Sequence, residues 1–125
     1  MKAVQASQVF QPGPESVPRA RHWLVDQLMI HGVDARAADA ALCLSELVAN
    51  VVTHTKSDIE IDVRSEQGRA IYVAVSDHSD DLPRAVGAQP GQPAGRGLVV
   101  VHALAKEWGV TPHAHGGKTV WFDLD

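Results

Sequence analysis

Hydrophobic residues occupy every second position in several short stretches of the chain. Between residues 59 and 75, two such stretches flank a turn at residues 66–69. A period of two is typical of β-strands with one buried face, so this region is predicted to form a β-hairpin. Residues 5–10 are predicted to form a short edge strand. Residues 108–112 and 118–124 are predicted to form two further strands that are joined by a glycine turn.

Three other segments show the apolar spacing of amphipathic helices. The first has Ser16 as its predicted N-cap and ends at Gly32. The second covers residues 35–54 after the capping residue Asp34, and the third covers residues 98–106. This order of elements predicts an α+β fold. We expect a two-layer sandwich in which about three helices cover one face of a mixed, mostly antiparallel sheet.

Composition narrows the classes of protein to which the chain can belong. Its 125 residues, 45% of them hydrophobic, predict one domain with one core over residues 1–125. A net charge of −4 argues against direct nucleic-acid binding, which normally requires a basic face. The only cysteine is Cys43, and no apolar run has the length of a signal peptide or a membrane span. These features predict a cytoplasmic protein that does not bind a membrane directly.

Three polar residues of the second helix are spaced four apart, so they share one face. They are Glu46, Asn50 and His54. An amide oxygen is a suitable ligand for Mg²⁺ beside a triphosphate, and a carboxylate one turn away can accept a proton from an attacking hydroxyl. The plainer alternative is a solvent-facing polar stripe.

Two other places carry chemistry that suits a nucleotide. Asp77 ends the second hairpin strand, where a carboxylate can accept a hydrogen bond from an exocyclic amine such as that of adenine. Gly95, Arg96, Gly97 and Leu98 close a loop rich in proline and glycine and open the third helix. Glycines allow close backbone approach, and the free N–H groups of a helix start suit a phosphate.

A P-loop ending at Gly117, Lys118 and Thr119 is rejected. That motif needs a glycine where Pro112 stands, and a helix rather than the alternating residues that follow here. Thr119 is instead predicted to be a strand residue next to Asp77, able to orient it.

Four segments, in order along the chain, resemble the motifs of GHKL (histidine kinase-like) ATPases. The resemblance is closest to the actinobacterial type of anti-sigma-factor serine kinases. The segments are residues 45–54 for the N box, 75–77 and 95–101 for the two glycine boxes, and 117–122 for the closing strand. The resemblance extends from about Ser16 to Leu124.

The resemblance implies a Bergerat-type fold that uses ATP and Mg²⁺. Asn50 would coordinate Mg²⁺, and Glu46 would act as general base toward a serine of a partner protein. Asp77 would read adenine with the support of Thr119. The nucleotide would also contact Gly95, Arg96, Gly97 and Leu98, and residues 82–96 would form a lid.

The resemblance also implies protein partners. The γ-phosphate would go to a serine of an anti-anti-sigma protein, while the same domain could hold a sigma factor, and a homodimer is suggested. Two features depart from the family pattern. Ser79 and Asp81 replace the glycines of the first box. Residues 92–94, shortly before the second box, include no basic residue, although Arg96 or Arg84 could substitute.

Two alternatives to the kinase remain at this point. The altered first glycine box favours a regulatory module that binds a partner protein but binds nucleotide weakly or not at all. A more distant alternative is a metal-dependent hydrolase built on Glu46 and His54. A zinc site at His113 and His115 has no identifiable third ligand, so a solvated turn is expected there.

Overall fold

The computed structural model describes residues 3–33, 35–66, 70–79 and 96–125, with the side chains of Arg96 and Gly97 left out. The described residues form one strand and two helices, then a pair of strands, then a third helix and a second pair of strands. In order, they are β1 (Val4–Phe10), α1 (Ser16–Ile30), α2 (Ala37–His54), β2 (Ile59–Ser65), β3 (Ile71–Asp77), α3 (Arg96–Leu104), β4 (Glu107–Pro112) and β5 (Lys118–Leu124).

The five described strands form one sheet in the order β1-β2-β3-β5-β4, and every pairing is antiparallel. Their alternating hydrophobic residues align in register: Val63 faces Val73, which in turn faces Phe122. This inner face is buried together with the apolar sides of the three helices, whereas most residues of the other face are half-buried or, like Glu60, exposed. The predicted α+β sandwich is therefore confirmed, with an antiparallel rather than mixed sheet.

The start of α1 differs from the prediction. Ser16 is the first residue of the helix rather than its N-cap, a position held by Glu15. Ser16 is buried, and its hydroxyl donates to the carbonyl oxygen of Gln11, which anchors the preceding loop instead of capping the helix. At the other end, Gly32 adopts a φ of +71° directly after the C-cap His31, so the predicted stop is confirmed.

The connection into α2 is fixed by Arg36, which precedes the helix. The predicted cap Asp34 lies outside the described residues. The guanidinium of Arg36 donates to the carbonyl oxygens of Leu104 (3.4 Å) and Asp125 (2.9 Å) and pairs with Asp39. Since Leu104 ends α3, these bonds place the start of α2 beside the end of α3, so the two packed helices run antiparallel.

The third helix ends two residues earlier than its apolar run suggests. The N–H of Lys106 already donates to the carbonyl oxygen of Asp123, so the chain has joined the sheet at that point. Residues 67–69 of the predicted hairpin turn lie outside the described part.

Cys43 is buried as expected, and burial raises the pKa of its thiol to about 11, which keeps it protonated. Among the described helices, none is both long and apolar enough to cross a membrane.

Candidate functional site

The predicted site residues come from elements that meet at one end of the sheet. Strand β3 ends there at Asp77, which faces Lys118 at the start of β5. Strand β2 begins at the same end, and residues 55–58 connect it to the end of α2 at His54. The connecting segment touches β3 directly, because the N–H of His78 donates to the hydroxyl of Ser57 at 2.8 Å. We call this end of the sheet the site end.

The start of α3 lies toward the site end as well. The bonds of Arg36 place the end of α3 beside the start of α2, at the opposite end of the helix layer. Because α2 and α3 pack antiparallel and α3 has 9 residues against 18 in α2, Arg96 at the start of α3 lies beside the middle of α2. The end of α2 and the end of β3 therefore lie at the site end, and the start of α3 is directed toward it.

Within α2, the predicted polar stripe is partly accessible. Glu46 and Asn50 are half-buried and His54 is exposed. In the part of the chain that the structure describes, the side chains of Glu46 and Asn50 form no hydrogen bond or ion pair, whereas Ser45 donates to the carbonyl oxygen of Ala41. The carboxylate and the amide are therefore free, with respect to those residues, to bind a ligand.

The carboxylate of Asp77 has two unequal oxygens. Asp77 is only 2% exposed. Its Oδ1 accepts hydrogen bonds from the N–H of Ser79 at 2.8 Å and from Nζ of Lys118 at 3.0 Å. Its Oδ2 is buried without a hydrogen-bond partner among the described residues. A buried acceptor without a donor is costly, so Oδ2 suits a hydrogen-bond donor supplied by a ligand.

Sequence reasoning assigned no role to Lys118, although the signal was present. Lys118 has the same alternation phase as Val120, Phe122 and Leu124, which all face the core. An inward lysine at the end of such a strand requires a partner carboxylate. The strand register places Asp77 directly opposite, and both side chains are almost fully buried.

The prediction that Thr119 orients Asp77 is wrong. Successive side chains of a strand point to opposite faces, so Thr119 faces away from the core when Lys118 faces into it. The hydroxyl of Thr119 hydrogen-bonds the hydroxyl of Ser76 and Nε2 of His113, each at 2.7 Å. The residue that holds Asp77 is Lys118.

A comparison with known protein families gives an independent assignment. The sequence profile described as "Histidine kinase-like ATPase domain" matches residues 10–124. The chain belongs to this family. No curated protein sequence matches the chain significantly.

Two solved structures share the histidine kinase-like fold of this chain. The RsbU and RsbW domains of Rv1364c from Mycobacterium tuberculosis match with a TM-score of 0.72 and 21% identity, over 97% of this chain and 32% of that one. The SiaB-SiaC complex from Pseudomonas aeruginosa matches with a TM-score of 0.70 and 8% identity, over 98% and 90%. This chain thus spans about a third of the first neighbour, and at these identities both neighbours support the fold alone.

A histidine kinase-like ATPase domain is expected to bind ATP, and the residues at the site end fit that ligand. The buried Oδ2 of Asp77 accepts one donor, and an amide and a carboxylate of α2 are free among the described residues. The side chain of Leu98 is 3% exposed and packs in the core, so only its backbone can contact a nucleotide. Gly95, Asp81 and the predicted lid up to residue 95 lie outside the described residues.

The described residues do not support a metal site that is formed by side chains alone. They contain no group of three or more histidine, cysteine, aspartate or glutamate side chains placed to hold a metal ion. His113 is engaged with Thr119 instead. The magnesium site predicted at Asn50 would differ from such a group because the phosphates of the nucleotide supply further ligands.

Gly117 allows β5 to approach the end of β3. It has a φ of +87°, and a Cβ at this position would overlap the carbonyl oxygen of Asp77 and lie 3.1 Å from Cα of His78. A side chain here would therefore displace the backbone that carries the candidate adenine acceptor.

Gly117→Ala is expected to destabilise the domain by at least about 1–2 kcal/mol from its positive φ alone, with a further loss from the contact with Asp77. Urea unfolding followed by circular dichroism measures this change. Gly116→Ala is the matched control, since Gly116 also has a positive φ (+99°) but is exposed. Equal losses in the two variants would show that the close contact with Asp77 has no energetic weight.

Lys118→Met is expected to destabilise the domain by roughly 3–5 kcal/mol, because it leaves a buried carboxylate without its partner. The double variant Asp77→Asn/Lys118→Met, which removes both charges, should recover much of that loss. Lys106→Met is the control: its ion pair with Asp125 is 3.5 Å long and exposed, so the change should be below about 1 kcal/mol. Similar losses for the two lysine variants in urea unfolding would contradict a buried pair.

Proposed function

We propose that this protein is an ATP- and Mg²⁺-dependent serine kinase of the anti-sigma-factor type. It would phosphorylate an anti-anti-sigma protein and sequester a sigma factor, in the cytoplasm and as a homodimer. The observation that carries the proposal concerns Oδ2 of Asp77, which is buried and has no hydrogen-bond partner among the described residues. It lies at the same end of the sheet as the end of α2, whose polar stripe carries Asn50. Membership of the histidine kinase-like family and the order of the four sequence motifs support it.

The proposed roles follow from the position of each residue. Asp77 accepts the exocyclic amine of adenine through Oδ2. The backbone N–H groups of the first turn of α3, from Arg96 onward, bind phosphate oxygens, where the helix dipole favours negative charge. Asn50 supplies an amide oxygen to Mg²⁺, which neutralises charge on the phosphates when bound.

Glu46 is the proposed general base. The hydroxyl oxygen of a partner serine would form a bond to the γ-phosphorus while the bond from that phosphorus to the β–γ bridging oxygen breaks. ADP leaves, and the hydroxyl proton passes to the carboxylate of Glu46. Glu46 lies one helical turn before Asn50 on the same face, so a base and a metal ligand would lie side by side.

A protein partner is in keeping with one of the fold neighbours, which was solved as a complex of two proteins, SiaB and SiaC. The alternative function, a partner-binding module with little or no affinity for nucleotide, is favoured by Ser79. This residue stands where the family motif has its first glycine, so a side chain replaces a hydrogen in the first glycine box. Calorimetric titration with Mg·ATP decides between the two functions, because absence of binding at millimolar ATP would exclude the kinase.

Asn50→Asp is expected to weaken Mg·ATP binding at least about tenfold, which corresponds to about 1.4 kcal/mol, because it places a carboxylate beside the triphosphate. The measurement is isothermal titration calorimetry. Gln8→Glu is the matched control, since it makes the same amide-to-carboxylate change on an exposed residue of β1. Unchanged affinity in the Asn50 variant would place the metal site elsewhere.

Glu46→Ala is expected to leave Mg·ATP affinity within about threefold but to lower phosphoryl transfer about a hundredfold or more, as for loss of a general base. Transfer is measured with γ-labelled ATP and proteins that co-purify with the tagged chain, and mass spectrometry identifies the labelled serine. Glu107→Ala, an exposed glutamate of β4, is the control. Equal transfer rates for Glu46→Ala and the unchanged protein would remove Glu46 from the mechanism.

A further inference from the structure

Lys118 contacts the one side chain that is proposed to read the base of the nucleotide. Its Nζ lies 3.0 Å from Oδ1 of Asp77 and 3.4 Å from the carbonyl oxygen of Ser79. The two charged side chains are only 7% and 0% exposed, so water hardly screens their interaction. Lysine is almost never buried to this degree without such a partner.

The hydrogen bonds leave Oδ2 of Asp77 as the oxygen available to a ligand. An ionised carboxylate only accepts hydrogen bonds, whereas a protonated carboxyl group also donates one. The ammonium of Lys118 compensates the charge of this buried carboxylate and fixes its orientation through Oδ1.

Other charged groups near the end of β3 are less well placed to have this effect. A cavity of about 520 Å³ on the open side of the sheet is lined by Asp77 together with Asp58, Glu60, His78 and His113. These four side chains are all exposed, and none bonds the carboxylate. On the helix side, Glu46 of α2 is half-buried and does not pair with Asp77. Among the described residues, Lys118 is therefore the cation that contacts and orients the carboxylate of Asp77.

We propose that Lys118 is a positioning residue that determines base specificity. By holding Asp77 as an oriented, acceptor-only carboxylate, it makes the site select purines with a 6-amino group over purines with a 6-oxo group. A 6-amino group donates to Oδ2, whereas a 6-oxo group places a second acceptor against it. This inference deepens the proposed function and rests on it, since it requires that the site binds a nucleotide.

The test compares Mg·ATP with Mg·ITP, whose base differs by the 6-oxo group, in calorimetric titrations. The unchanged protein should prefer ATP at least about tenfold, since sites built to bind a donor discriminate strongly against an analogue without it. Lys118→Met should reduce that preference to about threefold or less. Lys118→Arg, which keeps the positive charge, should retain it, and Lys106→Met should leave it unchanged.

The ratio of the two affinities separates specificity from mere structural support. Loss of structure would weaken both nucleotides equally and leave the ratio unaltered, and an unaltered ratio in folded Lys118→Met overturns the inference. If Lys118→Met does not fold, Lys118→Gln keeps a hydrogen-bond donor without the charge and should show the same reduced preference. If the unchanged protein binds neither nucleotide, the proposed function fails and the inference fails with it. If the unchanged protein prefers ATP and Lys118→Met and Lys118→Gln show the same preference, only the inference is overturned.

Discussion

The buried ion pair between Asp77 and Lys118 is the interaction on which the candidate site depends. It is the last inner-face pair of β3 and β5, after columns of apolar residues such as Val75 and Val120. Burying two charges costs solvation energy that their attraction only partly offsets, so such a pair adds little net stability. Its effect is geometric: an aspartate held by a lysine has one defined orientation, and one of its oxygens remains without a partner among the described residues.

The antiparallel topology brings the end of α2 toward this ion pair and directs the start of α3 to the same end of the sheet. Because β2 and β3 form a hairpin, the chain returns to the site end where α2 is joined to β2, and the bond from His78 to Ser57 fixes that junction. Arg36 acts from the opposite end of the helix layer. By binding the end of α3 and the carbonyl oxygen of Asp125, it sets the antiparallel packing that directs the start of α3 toward the same region.

Much of the fold could be predicted because strand alternation and helical spacing are local features of the sequence. Strand β5, for example, has the limits predicted for it. The features that failed are decided by contacts between distant parts of the chain. Ser16 has the side chain of an N-cap, but a carbonyl oxygen five residues earlier captures its hydroxyl. Thr119 follows Lys118 in β5 and pairs with Ser76, the neighbour of Asp77 in β3. Strand alternation nevertheless turns its side chain to the opposite face. The partner of Asp77 becomes evident only when alternation and register are read together.

The altered first glycine box has less weight against nucleotide binding than the sequence alone suggests. Where the family has a glycine, Ser79 contributes its backbone N–H to Oδ1 of Asp77 and its carbonyl oxygen to Nζ of Lys118. Any residue other than proline supplies both groups, so replacing glycine by serine does not remove them. The acceptor oxygen that would read adenine is the other one, and Ser79 does not occupy it. At this position, the departure from the family motif is therefore compatible with a working base-recognition site.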